Sequence, residues 1–223
     1  MENPICQPVE QDFRLIETFG YHPGQGIARA TLHVQRLQAS AEELGFEFDR
    51  RTVMQQLDNI AFQYPRRCRL TLGRAGDLEL TTAPFPVKQP QMCFVIAEER
   101  LESGAALLRH KTTLRDRHDR ARASLPVRVD EAVFLNERDE VCEGTITNIS
   151  ITTPDGDRLT PPLSSGCLPG VYRQSRLNKG LLNEAVLTLA DLNEARSINL
   201  VNSLRGSTQA IWAPECAEFI RFA

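Results

Sequence analysis

Most of the common catalytic signatures are missing from this sequence. It has no GxSxG, HExxH, P-loop or GxGxxG motif, and its histidines (His22, His33, His110, His118) show no metal-ligand spacing, so hydrolase and metal chemistry gain little support. Its six cysteines (Cys6, Cys68, Cys93, Cys142, Cys167, Cys216) include no CxxC pair, which argues against a zinc site or a disulfide framework; they are expected mostly as small buried hydrophobes. No segment approaches the roughly 20 apolar residues of a membrane span. MENPICQPVEQDF also lacks the basic start and apolar run of a signal peptide, so the expected setting is cytoplasmic, without a membrane. A bias to one charge is absent too: 26 basic and 29 acidic residues leave a net charge of −3 with no long block of either sign, which disfavours nucleic acid as a partner.

What is present, in 223 residues without repeats or low-complexity tracts, is strand and helix patterning sufficient for two lobes. Alternation in FRLIETFGYHPGQGIA predicts an opening strand or hairpin. ATLHVQRLQASAEELGFEF predicts a helix with Thr31 as cap and Gly45 as stop, and DRRTVMQQLDNIAFQ a second helix burying Val53, Leu57, Ile60 and Ala61 and ending before Pro65. RCRLTLG, DLELTTAPF and QMCFVIAEE read as three strands of an antiparallel sheet, and the segment after Lys111 as a charged helix ending before Pro126. Hairpins with turns at 136–139 and 154–157 follow, then helices after Gly170 and around LADLNEA, then a strand, turn and strand. The pattern predicts an α+β fold, with an N-terminal domain over 1–108 and a C-terminal domain over 109–223.

Two side chains invite a chemical reading, although each has a plain alternative as a solvated charge. Lys111, in LLRHKTTLR, would be a nucleophile only if its site removes the proton, which from an ordinary pKa of ~10.4 costs roughly 4 to 5 kcal/mol at pH 7. Glu143 precedes Gly144 in EVCEGTITNI. If 143–149 is extended, Glu143, Thr145 and Thr147 share one face, a carboxylate beside hydroxyls that suits a heterocyclic nitrogen. Two further stretches could bind an anion: TPPLSSGCLPGVYRQSRL, a turn leading into a helix with free amides near Val171 and Tyr172, and NSLRGS, with Ser203 and Arg205.

Taken together, HVQRL (33–37), RHKTTLR (109–115), EVCEGTITNI (140–149), TPPLSSGCLPGVYR (160–173) and NSLRG (202–206) resemble the class IV aminotransferase family of fold-type IV pyridoxal-phosphate enzymes, in that family's order and over most of the chain. The resemblance implies a D-amino acid aminotransferase-like fold with pyridoxal 5′-phosphate between two domains, attached through Lys111. It also implies that Glu143 contacts the pyridine nitrogen, that Asn148 supports the strand beside the ring, and that Arg36, the amides of Val171 and Tyr172, and Ser203 hold the phosphate. Arg205 is a candidate for the substrate's carboxylate. LIETFGYHPGQG, RHKTT and VNSLRG look most like the 4-amino-4-deoxychorismate lyase branch, which implies release of pyruvate to form 4-aminobenzoate in folate synthesis, a homodimer, and functional coupling to an aminodeoxychorismate synthase. Three positions depart from the pattern: Leu114, His118 and Tyr172. The competing readings are a branched-chain or D-amino acid type transaminase, using the same Lys111 and Glu143, and a non-catalytic module that keeps the fold.

Overall fold

A computed structural model describes residues 12–216. Two sheets organise it. The first has the order β2-β1-β3-β4, from β1 (Leu15–His22), β2 (Gly26–Ile27), β3 (Arg66–Leu72) and β4 (Leu78–Pro84), all antiparallel. Helices α1 (Ala30–Leu44) and α2 (Arg50–Asp58) complete this lobe. Val34, Leu37 and Ala41 form an apolar stripe on α1 and share a core with Leu15, Phe19, Cys68 and Leu70.

Both helices differ from expectation at their ends. The N-cap of α1 is Arg29, in the left-handed region (φ 61°) and without a side-chain cap, not Thr31; Gly45 closes the helix as expected (φ 70°). Asp49 caps α2 by accepting from the amides of Arg51 and Thr52. That helix stops at Asp58, so Ile60 is buried from a non-helical segment and Ala61 is exposed.

The second sheet has the order β10-β9-β8-β11-β12-β5-β6-β7, and β7 pairs again with β8, closing six strands into a barrel. Its strands are β5 (Gln91–Ile96), β6 (Glu131–Leu135), β7 (Val141–Gly144), β8 (Asn148–Thr152), β9 (Arg158–Thr160), β10 (Asn183–Glu184), β11 (Ser197–Asn202) and β12 (Gly206–Trp212). Three helices accompany them: α3 (Asp116–Ala123), α4 (Val171–Leu177) and α5 (Leu189–Glu194). β5 leaves the antiparallel sheet expected for it and lies parallel to both β12 and β6, because its Met92 and Phe94 belong to the barrel core with Val133, Leu200 and Ala210.

The architecture is the α+β, fold-type IV arrangement implied by the resemblance. Cys68, Cys142 and Cys167 are buried and Cys93 is half-buried; Cys6 and the Cys216 side chain lie outside the described residues. Among the described residues no helix is long and apolar enough to cross a membrane.

Candidate active site

Lys111 sits where the chain passes between the two lobes. The expected helix does not begin there: its carbonyl accepts from the Ile16 amide (2.7 Å), the Thr113 amide donates to the Arg14 carbonyl (2.9 Å), and Thr112 bridges Leu15. These bonds hold 111–113 extended along β1, and α3 starts only at Asp116. On the other side, His110 Nδ1 lies 2.9 Å from Ser40 Oγ on α1. The lysine backbone is therefore pinned to two elements of the first lobe while its side chain enters a cleft of about 500 Å³. Burial pushes its ammonium down to about 7, with nearby Arg115 and Arg36 acting in the same direction. A lysine in that state is half neutral at pH 7, which removes most of the deprotonation cost that a free lysine bears.

Glu143 lies on β7, 6% exposed, and lines the same cleft. The Leu168 amide donates to its Oε2 (2.9 Å), and His118 Nε2 lies 3.3 Å from its Oε1. The expected extended run from 143 to 149 is not formed. The chain reverses at 145–147, so that Glu143 pairs with Asn148 across the β7–β8 hairpin. Thr145 and Thr147 line the same cleft, but their hydroxyls are committed elsewhere and donate to Glu131. That carboxylate is completely buried, and it also accepts from the amides of Thr145 (2.9 Å) and Ile146 (3.3 Å). A side chain at Gly144 would collide with Thr147 and Glu131, so the tight hairpin requires glycine there. Asn148 lines the cleft and donates to the Leu168 carbonyl (2.9 Å), which ties β8 to the segment approaching α4.

Arg36 projects from α1 and is gripped by Glu17 of β1, donating from Nε to Oε1 (2.8 Å) and from Nη2 to Oε2 (2.7 Å), while Nη1 reaches the Pro169 carbonyl (3.2 Å). Burial by itself would raise the Glu17 carboxyl, but Arg36 and then His33 bring it down to about 2. His33 is pushed below its ordinary value by burial, which keeps the ring neutral at pH 7. Its partners then assign the tautomer: Nδ1–H donates to Glu17 (2.6 Å) and Nε2 accepts from the Ser203 hydroxyl (2.7 Å). Arg29 adds donors to Ser203 Oγ (3.2 Å) and to the Ser203 carbonyl (2.7 Å). Ser203 lines the cleft with its hydroxyl proton already committed.

α4 begins at Val171 with no side-chain cap, so its first amides are unspent by the helix, and Val171 lines the cleft. Tyr172 does not line it; its ring lies under the Arg29 guanidinium, 5.3 Å from the centroid, leaving only its amide as a candidate contact. Arg205 lines the cleft from the turn between β11 and β12. The cleft therefore gathers Arg36, Lys111, Glu143, Asn148, Val171, Ser203 and Arg205 from five separated stretches of chain. Sequence reasoning overlooked Glu17, His33, Arg29 and Glu131. The i, i+3 spacing of His33 and Arg36 was the available signal, since it puts both on one face and calls for a carboxylate opposite.

A family model described as amino-transferase class IV matches residues 14–210. The structure of a Mesorhizobium loti protein named "putative amino-acid aminotransferase" is 38% identical, covering 91% of this chain and 100% of that one with a TM-score of 0.84. A Saccharomyces cerevisiae aminodeoxychorismate lyase is 29% identical over 130 residues, 50% of this chain and 34% of that protein, so this chain aligns with about a third of its length. A Schizosaccharomyces pombe protein named "putative aminodeoxychorismate lyase" is 24% identical over 184 residues, 78% of this chain and 79% of that one.

Proposed function

The chain belongs to the amino-transferase class IV family, and on that premise we propose that it is a 4-amino-4-deoxychorismate lyase, releasing pyruvate and 4-aminobenzoate. The observation that carries the catalytic reading is one cleft holding both a lysine brought down to about 7 and a buried carboxylate, Glu143. The residues present fit pyridoxal phosphate: an amine that is half neutral at pH 7, an acid for the pyridine nitrogen, and at the start of α4 a set of uncapped amides with Arg36 nearby. Bound there, the cofactor supplies an electron sink for negative charge developing at the substrate carbon.

Lys111 is both the attachment point and the group that moves the proton at the reacting carbon. Its Nζ takes the proton from the ring carbon that carries the amine; the carbon–oxygen bond to the enolpyruvyl group then breaks with its electron pair going to that oxygen, the methylene carbon of the released enolate takes up a proton to give pyruvate, and the ring is left aromatic. No second substrate is consumed. Glu143, held by the Leu168 amide, would contact the pyridine nitrogen, and Asn148 would keep β8 in place beside it. Arg36 and the amides of Val171 and Tyr172 would hold the phosphate. Ser203 would join them by turning its hydroxyl proton from His33 to a phosphate oxygen while its own oxygen still accepts from Arg29. The same reading places the enzyme in the cytoplasm as a homodimer working alongside an aminodeoxychorismate synthase.

The names of the two yeast relatives support the lyase, and the Mesorhizobium loti relative supports a transaminase as second reading. Two measurements separate the possibilities. Purified protein given pyridoxal phosphate should show the visible absorbance of the lysine-bound cofactor, and Lys111→Ala should abolish it; a colourless wild-type protein refutes the catalytic reading. Chorismate, glutamine and a purified synthase should then yield 4-aminobenzoate and pyruvate with no keto acid added, whereas transfer of an amino group from an amino acid to an added keto-acid acceptor, without 4-aminobenzoate, establishes the transaminase.

A further inference from the structure

The cleft holds more positive charge than its cofactor reading uses. Seven cationic side chains line it, Arg36, Arg67, Arg69, Lys111, Arg115, Arg122 and Arg205, against two acids, Asp119 and Glu143, in a chain whose net charge is −3. Arg36 is spent on Glu17, Arg115 on Asp119 and the Thr145 carbonyl, and Arg122 on Glu131 and the Thr145 hydroxyl. Arg67, Arg69 and Arg205 are different: among the described residues their guanidinium groups make no ion pair and no hydrogen bond.

Their placement is dictated by the backbone. In β3 the alternate residues Cys68, Leu70 and Leu72 are buried in the first core, which turns Arg67 and Arg69 to the opposite face. There they pair in register with Gly20 and Thr18 of β1, and Thr18 lines the cleft beside them. Arg205 approaches from the second lobe, where the Asn202 side chain accepts from its amide (2.8 Å) and fixes the turn. Burial pushes the Arg205 guanidinium below its ordinary value, and Arg122 and Arg67 act in the same direction against the opposing pull of Glu131 and Asp130, which places the three arginines near one another.

We propose that Arg67, Arg69 and Arg205 are the anchors for a substrate carrying two carboxylates, and that they set the specificity of the cleft. This rests on reading the cleft as the site of the cofactor and its substrate. A carboxylate takes one arginine in a two-bond fork and has room at its outer lone pairs for about one more, so three unspent guanidinium groups exceed what a monocarboxylate engages and fall within the reach of two carboxylates. An apolar amino-acid side chain placed against them would bury cations without partners. A dicarboxylate satisfies them.

The test is calorimetric titration, at fixed ionic strength, of the protein supplied with pyridoxal phosphate, using isophthalate and benzoate as unreactive probes with two carboxylates and one. Isophthalate should bind at least about ten-fold more tightly than benzoate, the worth of one charge-assisted contact. Arg69→Gln and Arg205→Gln should each erase most of that preference, and Arg69→Lys should retain part of it. Among the described residues none of the three side chains makes a hydrogen bond, so the variants should unfold like the parent. Equal affinity for the two probes, or a preference that survives both glutamine variants, overturns the proposal. Heat is read whether or not the protein is coloured. A colourless protein that prefers isophthalate therefore refutes the cofactor reading alone, and a coloured one without the preference refutes the arginine assignment alone.

Discussion

Replacing Glu17 by Gln removes the charge on which Arg36 and His33 both depend, and the size of the effect can be worked from the site. In the fold the carboxyl sits at about 2 against an ordinary 4.5, because Arg36 and His33 more than offset its burial. At ~1.4 kcal/mol for each tenfold change in proton affinity, the ionised form contributes up to about 3 kcal/mol. The folded value is the depressed one, so the unfolded chain binds the extra proton. The contribution is complete above pH 5 and is lost as pH falls through 4.5 towards 2. Glutamine can accept from one partner, but its amide would then face a second donor, leaving a buried guanidinium or imidazole N–H unpaired. Urea unfolding of cofactor-free protein should thus show Glu17→Gln less stable than the parent by about 3 kcal/mol at pH 7 and by about 2 kcal/mol at pH 3.5. The variant should also bind pyridoxal phosphate more weakly, because Arg36 keeps only its bond to the Pro169 carbonyl. Equal urea midpoints at pH 7, or a gap that does not narrow on acidification, would refute the account of this network.

The other expectations concern neighbouring parts of the site. Lys111→Met should stabilise the cofactor-free protein at pH 7 by up to about 4 kcal/mol, since a lysine held at about 7 instead of 10.5 resists protonation in the fold; parental stability should rise between pH 7 and 10.5 until the gap in urea midpoints closes. Glu131→Ala should cost about 3 to 5 kcal/mol in the same assay by stranding the donors of Thr145, Ile146 and Thr147. Gly170→Ala should cost about 1 to 3 kcal/mol, because its methyl group would overlap Asn148 Oδ1, and combining it with Asn148→Ala should cost less than the sum of the two single changes.

Local chemistry made much of the scaffold legible: the stop of α1 at Gly45, the hairpin turns after Leu135 and Thr152, and the helix after Gly170 each follow from residues within a few positions. What escaped was decided at long range or by polar partners. β5 reads as another strand of an antiparallel series, yet barrel closure pairs it with strands that come later in the chain. TIT at 145–147 has the β-branched character of a strand, and it turns because Glu131, more than ten residues earlier, collects its amides and hydroxyls. Charge on Lys111 alone could not single it out among 26 basic residues; the family's motifs did that.

The same limitation applies with more force to the arginines. Composition gives a nearly balanced chain, but it cannot say which cations are neutralised by neighbours. That depends on register. Glu17 and Glu131 are both buried on the protein side of the cleft, where one fixes Arg36 and the other restrains Arg122. The acids most available for pairing are thereby consumed behind the site. A one-residue slip of β3 would send Arg67 and Arg69 into the core and Cys68 and Leu70 to the cleft, so the pairing of Thr18 with Arg69 that secures the first lobe also places its unpaired charges. Stability and substrate preference are in this way set by a single strand register, one face supplying the apolar core and the other the cationic wall.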